Sequence, residues 1–150
     1  MAKRKSLQDD ACPVARAVDL VGDRWSMLII RDALDGIRRF GDFQRNLGVA
    51  RNILSDRLSA LVEGGLLAVQ PASDGSAYQE YVLTAKGESL FPAIVALRQW
   101  GEHHLFAAGE AHSTLIERVS GKPVAAMQPR DHDDRILKPG QALVKKVVSK

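Results

Sequence analysis

The stretch from residue 38 to residue 84 constrains this chain most: RRFGDFQRNLGVARNILSDRLSALVEGGLLAVQPASDGSAYQEYVLT. Phe40, Phe43 and Leu47 recur at spacings of three and four, which predicts a short helix with one buried stripe. Gly48 supplies a turn, and a second helix is expected from about Ala50 to Val62. On that helix Leu54, Leu58, Leu61 and Val62 form an apolar arc, opposite a polar arc of Asn52, Ser55, Asp56 and Ser59. Gly64-Gly65 breaks the helix. Two strand-like runs follow, Leu66 to Pro71 and Tyr78 to Thr84, with Tyr81 and Leu83 alternating against Glu80 and Val82. They flank a hairpin tip at Ser73-Asp74-Gly75-Ser76. A helix, a turn, a polar-faced helix and a hairpin in the position of a wing make a nucleic-acid reading unit.

The flanking segments support one fold around that unit. Pro13 opens a helix at a tolerated first-turn position, with Val14, Ala17, Val18 and Val21 on one apolar face. Asp23 is placed to cap a second helix from Arg24 to about Leu34, with Trp25, Leu28, Ile29 and Ala33 inward. Thr84 caps a long helix expected to run to about Phe106, kinked at Pro92, with a seam of Leu90, Ile94, Leu97, Gly101 and Leu105. Such a seam needs a partner surface, and a two-fold dimer is the simplest source. In residues 107–150, Thr114 to Val119 and Pro123 to Met127 read as short strands, ending in a basic tail from Lys145 to Lys150. The expected fold is therefore α+β: a winged helix-turn-helix domain with a long C-terminal dimerisation helix over residues 1–106, and a small β-rich C-terminal extension over 107–150.

Charge matters here locally rather than globally. The net charge is +3, but residues 1–106 hold 13 Lys+Arg against 13 Asp+Glu, and the surplus lies in the C-terminal 44 residues. Between residues 38 and 57, by contrast, Arg38, Arg39, Arg45, Arg51 and Arg57 face only Asp42 and Asp56. That clustering at the reading unit is the footprint of phosphate contacts on double-stranded DNA. Arg51, Asn52 and Ser55 sit outward on the first turns of the second helix, where arginine suits guanine and asparagine suits adenine; Ser59 is a weaker fourth. Gln44, Arg45, Arg38 and Arg39 are candidates for the phosphate backbone, with Ser73 and Ser76 at the hairpin tip. Arg57 lies off the polar arc, beside Ile53 and Leu61, and suits a structural ion pair or a phosphate better than a base.

Other chemistries find little support. No Gly-x-Ser-x-Gly, phosphate loop or His-Glu-x-x-His frames an active site, so an enzyme is not expected. The single cysteine, Cys12, excludes an internal disulfide and a thiolate-cluster zinc site within one chain. His103-His104 ends a helix, and Asp131-His132-Asp133-Asp134 reads as a solvated turn, so neither a metal nor a cofactor is expected. No apolar run approaches the ~20 residues of a membrane span, and the N-terminus lacks an apolar signal core, which points to the cytoplasm.

The strings CPVARAVDLVGDRWSMLIIRDAL, RRFGDFQRNLGVARNILSDRLSALVEGGLL and YVLTAKGESL, with Trp100-Gly101, resemble the HxlR-type transcription regulators, relatives of the MarR winged-helix proteins. The resemblance covers about two-thirds of the chain, from Cys12 to about Phe106. It implies a homodimer whose two recognition helices enter successive major grooves of a pseudo-palindromic operator, repressing or activating nearby genes. It also implies response to an oxidant, an electrophile or a small metabolite. Relatives with a cysteine at this Cys-Pro position can use it as a sensor, which makes Cys12 a redox candidate, and a helix N-terminus favours a thiolate. Relatives also carry an arginine near the second wing strand, where this chain has Tyr78-Gln79-Glu80. That departure, with the neutral charge of residues 1–106, motivates an alternative: a winged-helix protein-interaction module that has lost specific DNA binding.

Overall fold

Local capping chemistry sets the first elements of the computed structural model, which describes residues 5–148. Helix α1 spans Pro13–Val21, with Pro13 in the first turn, where its missing N–H has no intrahelical partner to lose. Helix α2 spans Arg24–Leu34, and the Asp23 carboxylate accepts the Ser26 N–H at 3.0 Å. Helix α3 spans Phe40–Leu47 and stops at Gly48, whose φ of 62° lies in the left-handed region that glycine enters without a Cβ penalty. Helix α4 follows over Arg51–Glu63.

The core sits under α4. Leu54, Leu58 and Leu61, at i, i+4 and i+7, are fully buried, as are Ile29 and Ile30 of α2 and Phe43 of α3. Truncating a side chain of this kind to alanine costs about 2–5 kcal/mol. The chain then forms an antiparallel hairpin, β1 (Leu67–Pro71) with β2 (Gln79–Leu83), registered from Leu67 opposite Leu83 to Pro71 opposite Gln79. Leu66 and Leu67 complete the core beneath it. Gly64 does more than end α4: a Cβ there would stand 2.7 Å from Leu20 Cδ1, so the glycine lets α1 approach.

The expected single helix from Thr84 to Phe106 is in fact two. Helix α5 (Ala85–Glu88) is capped by Thr84, whose Oγ1 accepts the Gly87 N–H at 3.1 Å, and helix α6 spans Phe91–His104. Pro92 cannot donate to the preceding turn, so the helix restarts with the proline in its first turn instead of bending around it. Two further expectations are corrected. On α1 only Val21 is buried, and Val14 and Val18 are 68% and 51% exposed. On β2 the buried side chain is Glu80, not an apolar neighbour.

The chain divides into two compact units, Met1–Phe91 and Pro92–Lys150. Within the second, the expected β-rich extension reduces to two isolated bridges, Ile116 with Pro123 and Arg130 with Ile136, and a 3-10 turn at Pro139–Gln141. Pro123 has no N–H to extend a ladder, and the Glu117 N–H closes a tight loop onto Lys122 O at 2.8 Å. Polar staples hold this segment: Arg98 Nη1 donates to Ser113 Oγ at 2.9 Å, Gln99 Nε2 to Ala125 O at 3.0 Å, and the Met127 N–H to Gln99 Oε1 at 2.7 Å. Among the described residues no helix is long and apolar enough to cross a membrane.

Candidate nucleic-acid interface

Because the inner side of α4 is locked into the core, its outer side is a fixed platform. Arg51, Asn52, Ser55 and Ser59 are all exposed there. Asn52, Ser55 and Ser59 make no side-chain hydrogen bond among the described residues, so their donors and acceptors face solvent. Arg51 lies over the Phe40 ring at 5.2 Å, a cation–π contact that directs the guanidinium across the start of α3. Arg57 points elsewhere: its Nε pairs with Asp23 at 3.4 Å, the structural ion pair that its place off the polar arc suggested. Burial alone would raise the Asp23 carboxyl; the hydrogen bonding of Ser26, helped by Arg57, outweighs this and holds it below its ordinary value.

α3 and the hairpin enclose a groove of ≈ 780 Å³ lined by Arg39, Gln44, Arg45, Arg51, Tyr78 and Gln79. Four of the sequence-derived candidates thus share one concavity beside the exposed face of α4. Gln44 also reaches Val49 O at 3.5 Å, across the turn of the helix-turn-helix. Two of the groove's arginines carry carboxylate partners. Arg45 bonds Asp42 one turn back on α3, and Arg39 bonds Asp74 at the hairpin tip. Arg39 further reaches Ser76 Oγ at 3.5 Å and lies over the Tyr78 ring at 5.4 Å. The Ser76 N–H donates to the other Asp74 oxygen at 2.9 Å, and with the Ser76 and Arg39 bonds this holds the Asp74 carboxyl at about 2. Arg39 is raised in turn, chiefly by the hydrogen bond to Asp74.

Glu80 organises the hairpin from within. Its Oε1 accepts both the N–H and the hydroxyl of Ser73, at 3.2 and 3.0 Å, and its Oε2 faces Arg38 Nη1 at 3.5 Å. The Ser73 N–H is the main cause that holds this carboxyl below its ordinary value; burial opposes it, and the Ser73 hydroxyl and Arg38 add to the lowering. The Tyr81 N–H donates to Arg38 O at 2.7 Å, tying β2 to the loop before α3. Arg38 and Ser73, expected at the DNA, thus also brace the wing in this structure. A second buried carboxylate, Asp32 of α2, accepts Asn46 Nδ2 at 2.8 Å and Arg31 Nη2 at 2.8 Å, fastening α3 to α2. Sequence reasoning missed Glu80, Asp74 and Asp32. Asp74 alone carried a signal, as the aspartate of an Asp-Gly turn at the expected hairpin tip.

The remaining candidates lie outside the groove's lining. Cys12 is exposed at the N-cap of α1, and its N–H donates to Asp10 Oδ1 at 2.8 Å. His103 Nδ1 lies 2.7 Å from Gln99 O, and the His104 ring sits tilted against Trp100 with centroids 5.1 Å apart. Asp131 accepts the N–H groups of Asp133 and Arg135, both at 2.9 Å, as a turn-forming aspartate does.

Three helices with a left-handed turn before an exposed polar helix, followed by a hairpin braced against them, define a winged helix-turn-helix protein. The chain belongs to the HxlR-like helix-turn-helix family, whose model matches residues 20–108. It is 52% identical over 92 residues to an uncharacterised HTH-type transcriptional regulator of Mycobacterium tuberculosis, a match covering 61% of this chain and 58% of that relative. The solved structure of the transcription-factor candidate PA1607 is similar at a TM-score of 0.89 and 50% identity, over 94% of this chain and 99% of that one. The likeness to PA1607 therefore reaches into the C-terminal extension, beyond the family match. The redox regulator HypR in its reduced form is similar at a TM-score of 0.57 and 26% identity, over 63% of this chain and 94% of that one.

Proposed function

We propose that this protein is a sequence-specific, DNA-binding transcriptional regulator that acts in the cytoplasm as a homodimer on a pseudo-palindromic operator. The observation that carries this reading is the outer face of α4, where Arg51, Asn52, Ser55 and Ser59 stand exposed on a helix whose inner face is fully buried. A rigid helix of 13 residues with a free polar face fits the major groove, and arginine and asparagine there have the donors and acceptors to read guanine and adenine. Arg39, Gln44 and Arg45 would meet the phosphate backbone beside it, and Ser76 the backbone under the wing. Arg38, Arg57 and Ser73 act mainly as braces, with phosphate contact as a secondary role.

The dimer reading is supported by what one copy leaves uncovered. Leu97, Trp100 and Leu105 of the α6 region are 55%, 56% and 67% exposed, apolar side chains that a second copy would cover. In this reading residues 1–106 bind DNA and pair, and residues 107–150 form an appendage. Two copies of α4 would lie roughly 34 Å apart, one turn of B-DNA.

Cys12 gives this regulator a candidate redox input. It is exposed, it is the only cysteine, and the reading draws on the likeness to HypR. Any disulfide would have to join Cys12 to another molecule. A small-molecule effector is the alternative input.

A gel-shift titration against the gene's upstream intergenic duplex, at two salt concentrations and with and without mild oxidant, tests the reading. Sequence-selective binding that weakens steeply with salt supports it. Binding no tighter than to a shuffled duplex favours the alternative, an interaction module that keeps the fold without specific DNA binding. The pairing of Arg38 and Arg39 with carboxylates is the observation in that module's favour.

A further inference from the structure

Two arginines at the mouth of the α3–wing groove have anionic partners before any DNA arrives, and the two partners are unlike. Asp42 is one helical turn from Arg45 on the same exposed helix face, a pairing of slight energetic weight. Asp74 comes from the far side of the groove, 35 residues along the chain from Arg39. Its carboxylate is oriented by the Ser76 N–H, so one oxygen is fixed and the other is turned to the guanidinium. That guanidinium is held in place by the Tyr78 ring behind it. Asp74 thus presents to Arg39 what a DNA phosphate would present: a fixed, fully ionised oxygen at hydrogen-bond distance. Arg51, in the same groove, has an aromatic ring and no carboxylate partner among the described residues.

We infer that Asp74 limits the affinity of the DNA face: it is an internal counter-ion that competes with DNA phosphate for Arg39, and it weakens operator binding at least as much as sequence-independent binding. The inference rests on the DNA-binding reading above. On a random duplex, phosphates near Arg39 are loosely placed, so little of the affinity passes through this arginine and little is lost to the carboxylate. On the operator, base contacts from α4 fix the register and deliver one phosphate to Arg39 at high effective concentration, so the carboxylate is displaced and the operator complex carries the cost of that displacement in full. The masked arginine therefore lowers affinity for both duplexes without widening the ratio between them.

The test uses the full-length protein and fluorescence anisotropy on two probes, the upstream intergenic duplex and a shuffled duplex of equal length, across a salt series. Asp74→Asn should tighten binding to the intergenic duplex about two- to fivefold and steepen its salt dependence by roughly 0.9 in log–log slope, one phosphate contact. Binding to the shuffled duplex should tighten by the same factor or less. In an Arg39→Ala background the same substitution should have no effect, and Glu63→Gln, which removes a charge at the far end of α4, should not reproduce the gain. Thermal unfolding confirms that each variant is folded. A gain that persists without Arg39, or that Glu63→Gln matches, overturns the inference in favour of general charge. Equal weakening on both probes overturns it in favour of a carboxylate that only braces the wing, and no change on either probe overturns it outright. Wild-type protein that does not distinguish the two probes defeats the DNA-reading proposal itself, whatever the variants do.

Discussion

Arg57 of α4 and Asp23, the residue that caps α2, meet at 3.4 Å. One carboxylate thereby caps one helix and anchors the next-but-one, α4, whose outer side is exposed. Asp23→Ala should cost about 1–2 kcal/mol, the usual loss for an N-cap aspartate. Arg57→Ala should cost less than about 1 kcal/mol, because the guanidinium is partly exposed and solvent screens the pair. Urea unfolding of both single variants and the double variant checks the order. Equal losses would mean that the ion pair, not the cap, is the main role of Asp23.

Two glycines should resist substitution for different reasons. Gly48→Ala places a side chain at φ 62°, with open space around it, and should cost about 1 kcal/mol from backbone strain alone. Gly87→Ala brings a Cβ to 2.2 Å from Leu66 O, which cannot yield without parting α5 from the strand entry, so the loss should be clearly larger. Thermal melts of the two variants side by side measure the difference.

The wing should loosen in acid before the helical core does. Asp74 has a carboxyl held at about 2 against an ordinary 3.8, and Glu80 is also lowered from 4.5. Their contribution is complete above those ordinary values and is lost as pH falls through the lowered ones. Hydrogen exchange at Ser73, Ser76 and Tyr81 should therefore accelerate between about pH 4.5 and 2 relative to amides of α4. Glu80→Gln should bring that loosening to neutral pH. Parallel loss of protection in the wing and in α4 would refute a separately braced wing.

Dimerisation should depend on the α6 region. Leu97→Asp places a charge on an exposed apolar residue, so it should leave the chain folded and halve its mass by light scattering. A dimer mass that survives the substitution would place the contact elsewhere, with the exposed Val14 and Val18 of α1 as the next site to change.

What the sequence made legible was local. Asp23, Gly48 and Thr84 act on neighbours within three or four residues, so their type and position announce their role. The periodicity of Leu54, Leu58 and Leu61 likewise predicted both faces of α4. The carboxylates could not be read this way. Glu80 is buried because Ser73 and Arg38, 7 and 42 residues away, satisfy its oxygens, and Asp32 because Asn46, 14 residues away, satisfies one of its own. A strand residue with a charge looks solvent-facing until those partners are known. Val14 and Val18 misled in the opposite sense, since apolar periodicity marks a face that wants cover without saying that the same chain supplies it.

The most direct test of the account is operator binding by Arg51→Ala combined with Asn52→Ala. Both residues are exposed, so the variant should keep the fold, the melting temperature and the dimer mass of the wild type. Affinity for the upstream intergenic duplex should fall by about tenfold or more, to the level of a shuffled duplex. Unchanged selectivity in a folded double variant would contradict α4 as the reading helix.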